Sequence, residues 1–169
     1  MILPMPVVSN TSPIWNLASL ERLDLLHDQF PDVRIPQDVL NELQVGYEYP
    51  EMARIQQAID ARWLTVESIT NSHVQQSLML DIDRGEAAAI ALALELGMTR
   101  IVMDEADGRA TAKAMGLQPI GVLGILLRAK HEGKILSLSD EMSRLRHDAG
   151  FFIAESLFQR LRREAGETP

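Results

Sequence analysis

The sequence predicts an α/β domain, a short parallel sheet flanked by helices, and three observations carry that prediction. Short β-prone runs at residues 6–9, 33–35, 63–66, 100–103 and 118–121 alternate with longer helical patterns. Residues 87–96 are apolar at nearly every position except Glu95, the mark of a helix buried on most sides. Gly97 ends that helix and a strand follows at once, so the helix start and the strand end share one edge of the domain.

The elements follow in order. After the first strand, Asn10-Thr11-Ser12-Pro13 opens a helix with Ser12 as N-cap and Pro13 at the first helical position. Asn10 is thereby left at the carboxyl end of the strand, where open parallel sheets bind ligands. Leu17, Leu20, Leu23, Leu25, Leu26 and Phe30 give helical core positions up to Pro31. Pro36 starts a helix that carries Glu42, and a loop at residues 46–50 leads to a helix over 51–61. A helix over 71–80 precedes the central one. Beyond it come a helix to Met115, a strand in which Pro119 marks an edge or a strand start, and a helix over 123–131 stopped by Gly133. Two polar helices, 139–148 and 154–164, finish the chain, and the last residues should fray. The expectation is one domain over residues 1–169, with a core at about 6–135 and a helical C-terminal extension at about 136–169.

Composition removes several chemistries. With no cysteine there are no disulfides, thiolate zinc sites or cysteine nucleophiles. His27, His73, His131 and His147 lack ligand spacing and read as surface residues, so a bound metal would be held by oxygen, as magnesium or manganese. No nucleotide-binding glycine motif and no GxSxG is present. The apolar opening lacks the basic and cleavage regions of a signal peptide, and no apolar run reaches membrane-spanning length, so a cytoplasmic location is expected. The net charge of −8 is uneven. Residues 1–99 hold five basic and fourteen acidic side chains, residues 100–169 eleven and ten, so a polyanion would sit on the C-terminal half.

Glu86 opens the central helix and Asp104 follows the strand after it, so the two carboxylates can meet at one edge. Asp83 and Glu86 also read as a capping box, and Asp107 as a plain N-cap. Glu105 reads as pointing elsewhere, into solvent. Arg109 and Lys113, four apart, share a helix face suited to RNA phosphates, and Arg128, Lys130 and Lys134 form a second basic patch.

The segments VVSNTSPIWNLA, VLNEL, DRGEAAAIALALELG and IVMDEADGRATAKAMGLQPIGVLGILLRAKHEGKI together resemble the PIN domain, in the branch of prokaryotic PIN-like ribonucleases related to VapC-type toxins of toxin–antitoxin systems. The resemblance spans residue 7 to the final helix. It implies a three-layer fold and a Mg- or Mn-dependent endoribonuclease acting on RNA. It places the family's acids on Asn10, Glu42, Glu86 and Asp104, an auxiliary acid on Asp107, and on Ser12 the hydroxyl that orients the first acid. Asp104, Glu86 and Asn10 would be metal ligands. It further implies an antitoxin as candidate partner and a homodimer, for which the leucine-rich N-terminal segment supplies apolar surface. The departure is Asn10, where the family generally has aspartate: an amide oxygen can ligate magnesium but brings no charge and cannot act as a base. The alternative is therefore a catalytically silent PIN fold that binds RNA or protein.

Overall fold

The computed structural model of the chain describes residues 5–168. The first half of the apolar opening weighed against a signal peptide, residues 1–4, and the last of the residues expected to fray, residue 169, lie outside the described residues. The elements are β1 Val7–Ser9, α1 Thr11–Ser19, α2 Leu23–Gln29, β2 Val33–Pro36, α3 Gln37–Gln44, α4 Pro50–Asp60, β3 Leu64–Glu67 and α5 Ser72–Leu78. They continue with α6 Arg84–Glu95, β4 Arg100–Val102, α7 Ala106–Ala114, β5 Gln118–Ile120, α8 Val122–His131, α9 Leu138–Asp148 and α10 Glu155–Glu164.

All five strands are parallel, in the order β3-β2-β1-β4-β5. Pro119 stands on edge strand β5 opposite Ile101, where its missing N–H costs no ladder bond on the outer side. Alternation along the strands sends Val7 and Val102 to one face and Val8, Ile101 and Met103 to the other, each within its own apolar cluster. Helices cover both faces, which makes three layers. The central helix α6 is buried from Gly85 to Ala93, its alanines allowing close approach to the sheet, and it ends at Gly97 with φ +65°.

The C-terminal helices are built into the main core. Leu138, Met142, Leu145, Phe158 and Leu161 belong to the same cluster as Val7 and Val33. Glu167 closes the unit by accepting from the backbone N–H groups of Leu138 and Ser139 at 2.5 and 2.9 Å, which satisfies free donors at the start of α9. Among the described residues no helix is long and apolar enough to cross a membrane.

Four expectations need correction. Ser12 is not the N-cap of the first helix: Asn10 holds that position in extended conformation, and Pro13 falls at the third helical residue. The leucine run at residues 17–30 is broken into two helices at Glu21, whose φ is +58°. The N–H groups of Glu21 and Arg22 there bond to the carbonyls of Ala18 and Leu17, a Schellman ending made without glycine. Leu17, Leu20, Leu23, Leu25 and Leu26 all lie in the core, so they do not supply the apolar surface expected for a homodimer. The basic patch of Arg128, Lys130 and Lys134 is internally neutralised, by Glu132 at 2.8 Å, Glu167 at 3.3 Å and Asp28 at 3.2 Å.

Candidate functional site

The strand order reverses its direction of growth between β1 and β4, and in parallel sheets the crevice outside the carboxyl ends at such a point is where ligands bind. Asn10 follows β1 and Asp104 lies two residues past the end of β4. The backbone N–H of Asn10 bonds to the carbonyl of Val102 at 2.9 Å, which locks the two chain ends side by side.

Asp104 is held by the start of the next helix. Its Oδ1 accepts the N–H of Val122, first residue of α8, at 2.8 Å, while its Oδ2 is buried with no hydrogen-bond partner. Burial pushes this carboxyl up to about 6, reinforced by the charge of Glu105; the Val122 N–H, the Arg109 guanidinium and the side chain of buried Asn16 pull it back. Arg109 Nη1 is itself spent on the Met103 carbonyl at 2.9 Å. The guanidinium and Asp104 Oδ1 both close on Gly121, where a Cβ would stand 3.1 and 3.0 Å from them.

Asn10 is only 3% exposed. Its Nδ2 donates to Glu105 Oε2 at 3.2 Å, and its Oδ1 is buried without a partner. Ser12, expected to orient Asn10, gives its hydroxyl to Glu105 Oε1 at 2.6 Å, so it acts on Asn10 through that carboxylate. Glu105 is exposed, as expected, but its carboxylate turns back onto Asn10 and Ser12, a direction that sequence reasoning missed. Strand alternation would turn it away from Asp104, but Glu105 is the N-cap of α7, and the chain reverses there to bring its side chain across the end of β1. That capping position also corrects the plain N-cap reading of Asp107, which lies in the first turn of α7.

Glu86 serves two ends. It completes the capping box, with its backbone N–H bonding Asp83 Oδ1 at 2.8 Å and its Oε2 accepting the N–H of Asp83 at 3.1 Å. It is also buried, and burial raises its pKa, with further upward pressure from Asp83, Glu105 and Asp107. These residues line one cleft of about 470 Å³ together with Asp81, five carboxylates with no cation in the lining. Glu42 stands apart from that cleft: its carboxylate fills the space above Gly85 at the start of α6 and accepts the hydroxyl of Thr11. Burial raises its pKa also, while Thr11 opposes the shift. Lys113 is exposed on α7, and Arg109 is turned inward as described.

The sheet edge therefore gathers Asn10, Asp104 and Glu105, with Glu86 and Asp107 on the adjoining cleft wall and Glu42 on the far side of the α6 terminus. The two unpartnered oxygens are hard donors at adjacent strand ends, the chemistry that suits magnesium or manganese. Among the described residues no three His, Cys, Asp or Glu side chains already converge on one point at ligand distance. No curated protein and no solved structure gives a significant match to the chain. The family model DUF3368, described as a PIN domain, matches residues 6–167. With that match spanning nearly the whole chain, and with a three-layer parallel α/β fold whose acids gather at its strand ends, the chain belongs to the PIN-domain family, a nuclease fold.

Proposed function

We propose that the chain is a metal-dependent endoribonuclease that hydrolyses RNA phosphodiesters, and a VapC-type toxin component of a toxin–antitoxin pair. The observation that carries this reading is the pair of buried, unpartnered oxygens, Asn10 Oδ1 and Asp104 Oδ2. An oxygen buried without a donor costs about 1–3 kcal/mol, and two of them at one crevice fit a cation held there.

Asp104 and Asn10 would hold the ion, with Glu105 hydrogen-bonded to Asn10 and Glu86 on the adjoining cleft wall as further carboxylates. A divalent ion would supply Lewis-acid polarisation of the phosphate and make a bound water more acidic than bulk water. The chain's own residues do the remainder. Ser12 and Asn10 fix Glu105, returning to the crevice the negative charge that position 10 lacks. The Val122 N–H pins Asp104 so that its free oxygen keeps one direction. Glu86, Asp107 and Asp83 keep the adjoining cleft negative, which favours a dication and leaves the phosphate to approach from the other side.

The test is cleavage of end-labelled structured and single-stranded RNA with manganese, magnesium or EDTA, beside Asp104→Asn prepared identically. Metal-dependent cleavage that disappears in the variant is expected. Equal inactivity of both proteins, with RNA or a protein partner still bound, favours the silent binding module, for which the uncharged Asn10 is the specific argument. An antitoxin partner and a homodimer belong to the same proposal. The exposed Val45, Tyr47 and Tyr49 offer one apolar surface for them, and light scattering with and without a co-expressed neighbour reads both.

A further inference from the structure

Asp104 lines one of two depressions of opposite character, and its chain neighbour Glu105 lines the other. On one side is the cleft of five carboxylates. On the other is a groove of about 540 Å³ between β5, α8 and α10, whose lining holds two guanidiniums, Arg109 and Arg160, and Asp104 as its one carboxylate. Its floor is apolar, from Ile120, Leu123 and Leu161, and its rim carries Phe151 and Phe152.

Phe152 is 86% exposed, so it contributes little to the core. Its backbone is nevertheless held on both sides: the N–H of Phe151 bonds the Leu145 carbonyl at 3.1 Å, and the carbonyl of Ile153 accepts Arg146 Nη2 at 2.6 Å. Arg146 is in turn packed over the Phe158 ring at 4.4 Å. An aromatic ring presented to solvent on a pinned loop is a preorganised stacking platform, with the ordering cost met within the fold. Arg160 is exposed and makes no ion pair among the described residues, so its guanidinium is available to an anion. At Gly124 a Cβ would meet only Ile120 Cγ2, at 3.9 Å, so space is open above that part of α8.

We infer that this groove seats an unpaired nucleotide of a single-stranded RNA, its base against Phe152 and a phosphate at Arg160, next to the scissile phosphate at Asp104. The inference rests on the nuclease reading for the class of ligand. Single-strandedness follows from the groove: a base offers its face to an aromatic ring only when it is unstacked from its neighbours, which a duplex forbids. The volume lies within the roughly 300–1,000 Å³ of small-ligand pockets, enough for one nucleotide and too small for a helix. The charge arrangement agrees, since the strand would enter over guanidiniums and meet the acids only where a cation offsets them.

The experiment measures binding of a short fluorescein-labelled single-stranded RNA and a matched hairpin by fluorescence anisotropy in EDTA, so that no cleavage enters. Wild type, Phe152→Ala and Arg160→Gln are compared. Both side chains are exposed, so both variants should keep the melting temperature. We expect single-stranded RNA to bind in preference to the hairpin and Phe152→Ala to weaken it roughly tenfold or more. Arg160→Gln should flatten the salt dependence by about 0.7 in log–log slope. Equal binding by wild type and both variants overturns the inference, as does equal affinity for the hairpin. No RNA binding by wild type, with Phe152→Ala instead altering the oligomeric state, overturns it in favour of a protein occupant. Cleavage assayed in parallel separates the two readings. Unchanged binding by variants that still cleave removes the groove and keeps the nuclease; weakened binding by variants of a wild type that never cleaves keeps the groove and removes the nuclease.

Discussion

Asp104 carries its energetic cost in a form that can be titrated. Its carboxyl is raised from 3.8 to about 6 by burial, so the folded chain binds that proton more tightly than the unfolded chain does. The corresponding stability is fully present below about pH 3.8 and is lost as pH rises through 6, a loss on the order of 3 kcal/mol. Asp104→Asn should therefore be more stable than wild type at pH 8 in EDTA, with the difference shrinking towards pH 4 in urea titrations. A gap that does not change with pH would contradict the burial argument. Millimolar manganese should raise the melting temperature of wild type and leave this variant unmoved. The neighbouring position tests where the charge resides. Asn10→Asp replaces a donor to Glu105 with a like charge, and should lower metal-free stability by about 1–3 kcal/mol while enlarging the response to manganese. Adding Glu105→Gln to it should restore metal-free stability. If Asn10→Asp melts as wild type does in EDTA, the Asn10–Glu105 pair does not hold the charge as described.

The start of α6 and the start of α7 face each other across the cleft, and Gly108 sets how near they come. A Cβ on Gly108 would stand 2.6 Å from Met103 Sδ and 2.7 Å from Glu86 Oε1, both buried groups. Gly108→Ala should cost about 1–3 kcal/mol and displace Glu86 from its cap. Gly124→Ala, in open space within α8, should instead stabilise by about 0.5–1 kcal/mol; chemical denaturation of the two variants distinguishes them, and equal effects would deny the close approach at Gly108. Most elements at this scale were legible. Residues 87–96 announced the buried helix through their apolar run, Asp83 and Glu86 announced its cap, and Pro119 announced the sheet edge. What was not legible depends on partners distant in the chain or on a backbone choice that residue type does not mark. Glu21 adopts a left-handed conformation usually left to glycine, so the leucine run looked continuous. The cap at Asn10 was hidden because Pro13 reads as a first helical residue, which puts the cap at Ser12, whereas the helix starts two residues earlier. Lys130 and Lys134 looked free because Glu167 and Asp28, their partners, are remote in sequence.

Across the whole molecule, the C-terminal helices are fastened to the corner between α1 and α2, and Glu141 is the fastening with a countable set of bonds. It is 5% exposed on α9 and accepts from Arg22 Nε at 2.9 Å and from Arg144 Nη1 at 3.0 Å. Arg144 also donates Nη2 to the carbonyl of Leu20, so the network grips the corner between α1 and α2 from the C-terminal side. The Arg22 and Arg144 side chains are 36% and 41% exposed, so each keeps access to water if Glu141 is lost. The full penalty of about 3–5 kcal/mol for breaking a buried ion pair therefore does not apply, since it comes from a stranded charge. Glu141→Gln keeps shape and an acceptor oxygen while removing the charge, and should cost about 1–2 kcal/mol; Glu141→Ala, which removes the acceptor and the buried stem as well, should cost more. Because α9 and α10 share one core with β1 and β2, the loss should appear as one cooperative transition by both circular dichroism and Trp fluorescence, Trp15 and Trp63 lying against that core. A separate early transition confined to the far-ultraviolet signal would show the C-terminal helices melting on their own, and would mean that the groove beside Asp104 opens and closes with them.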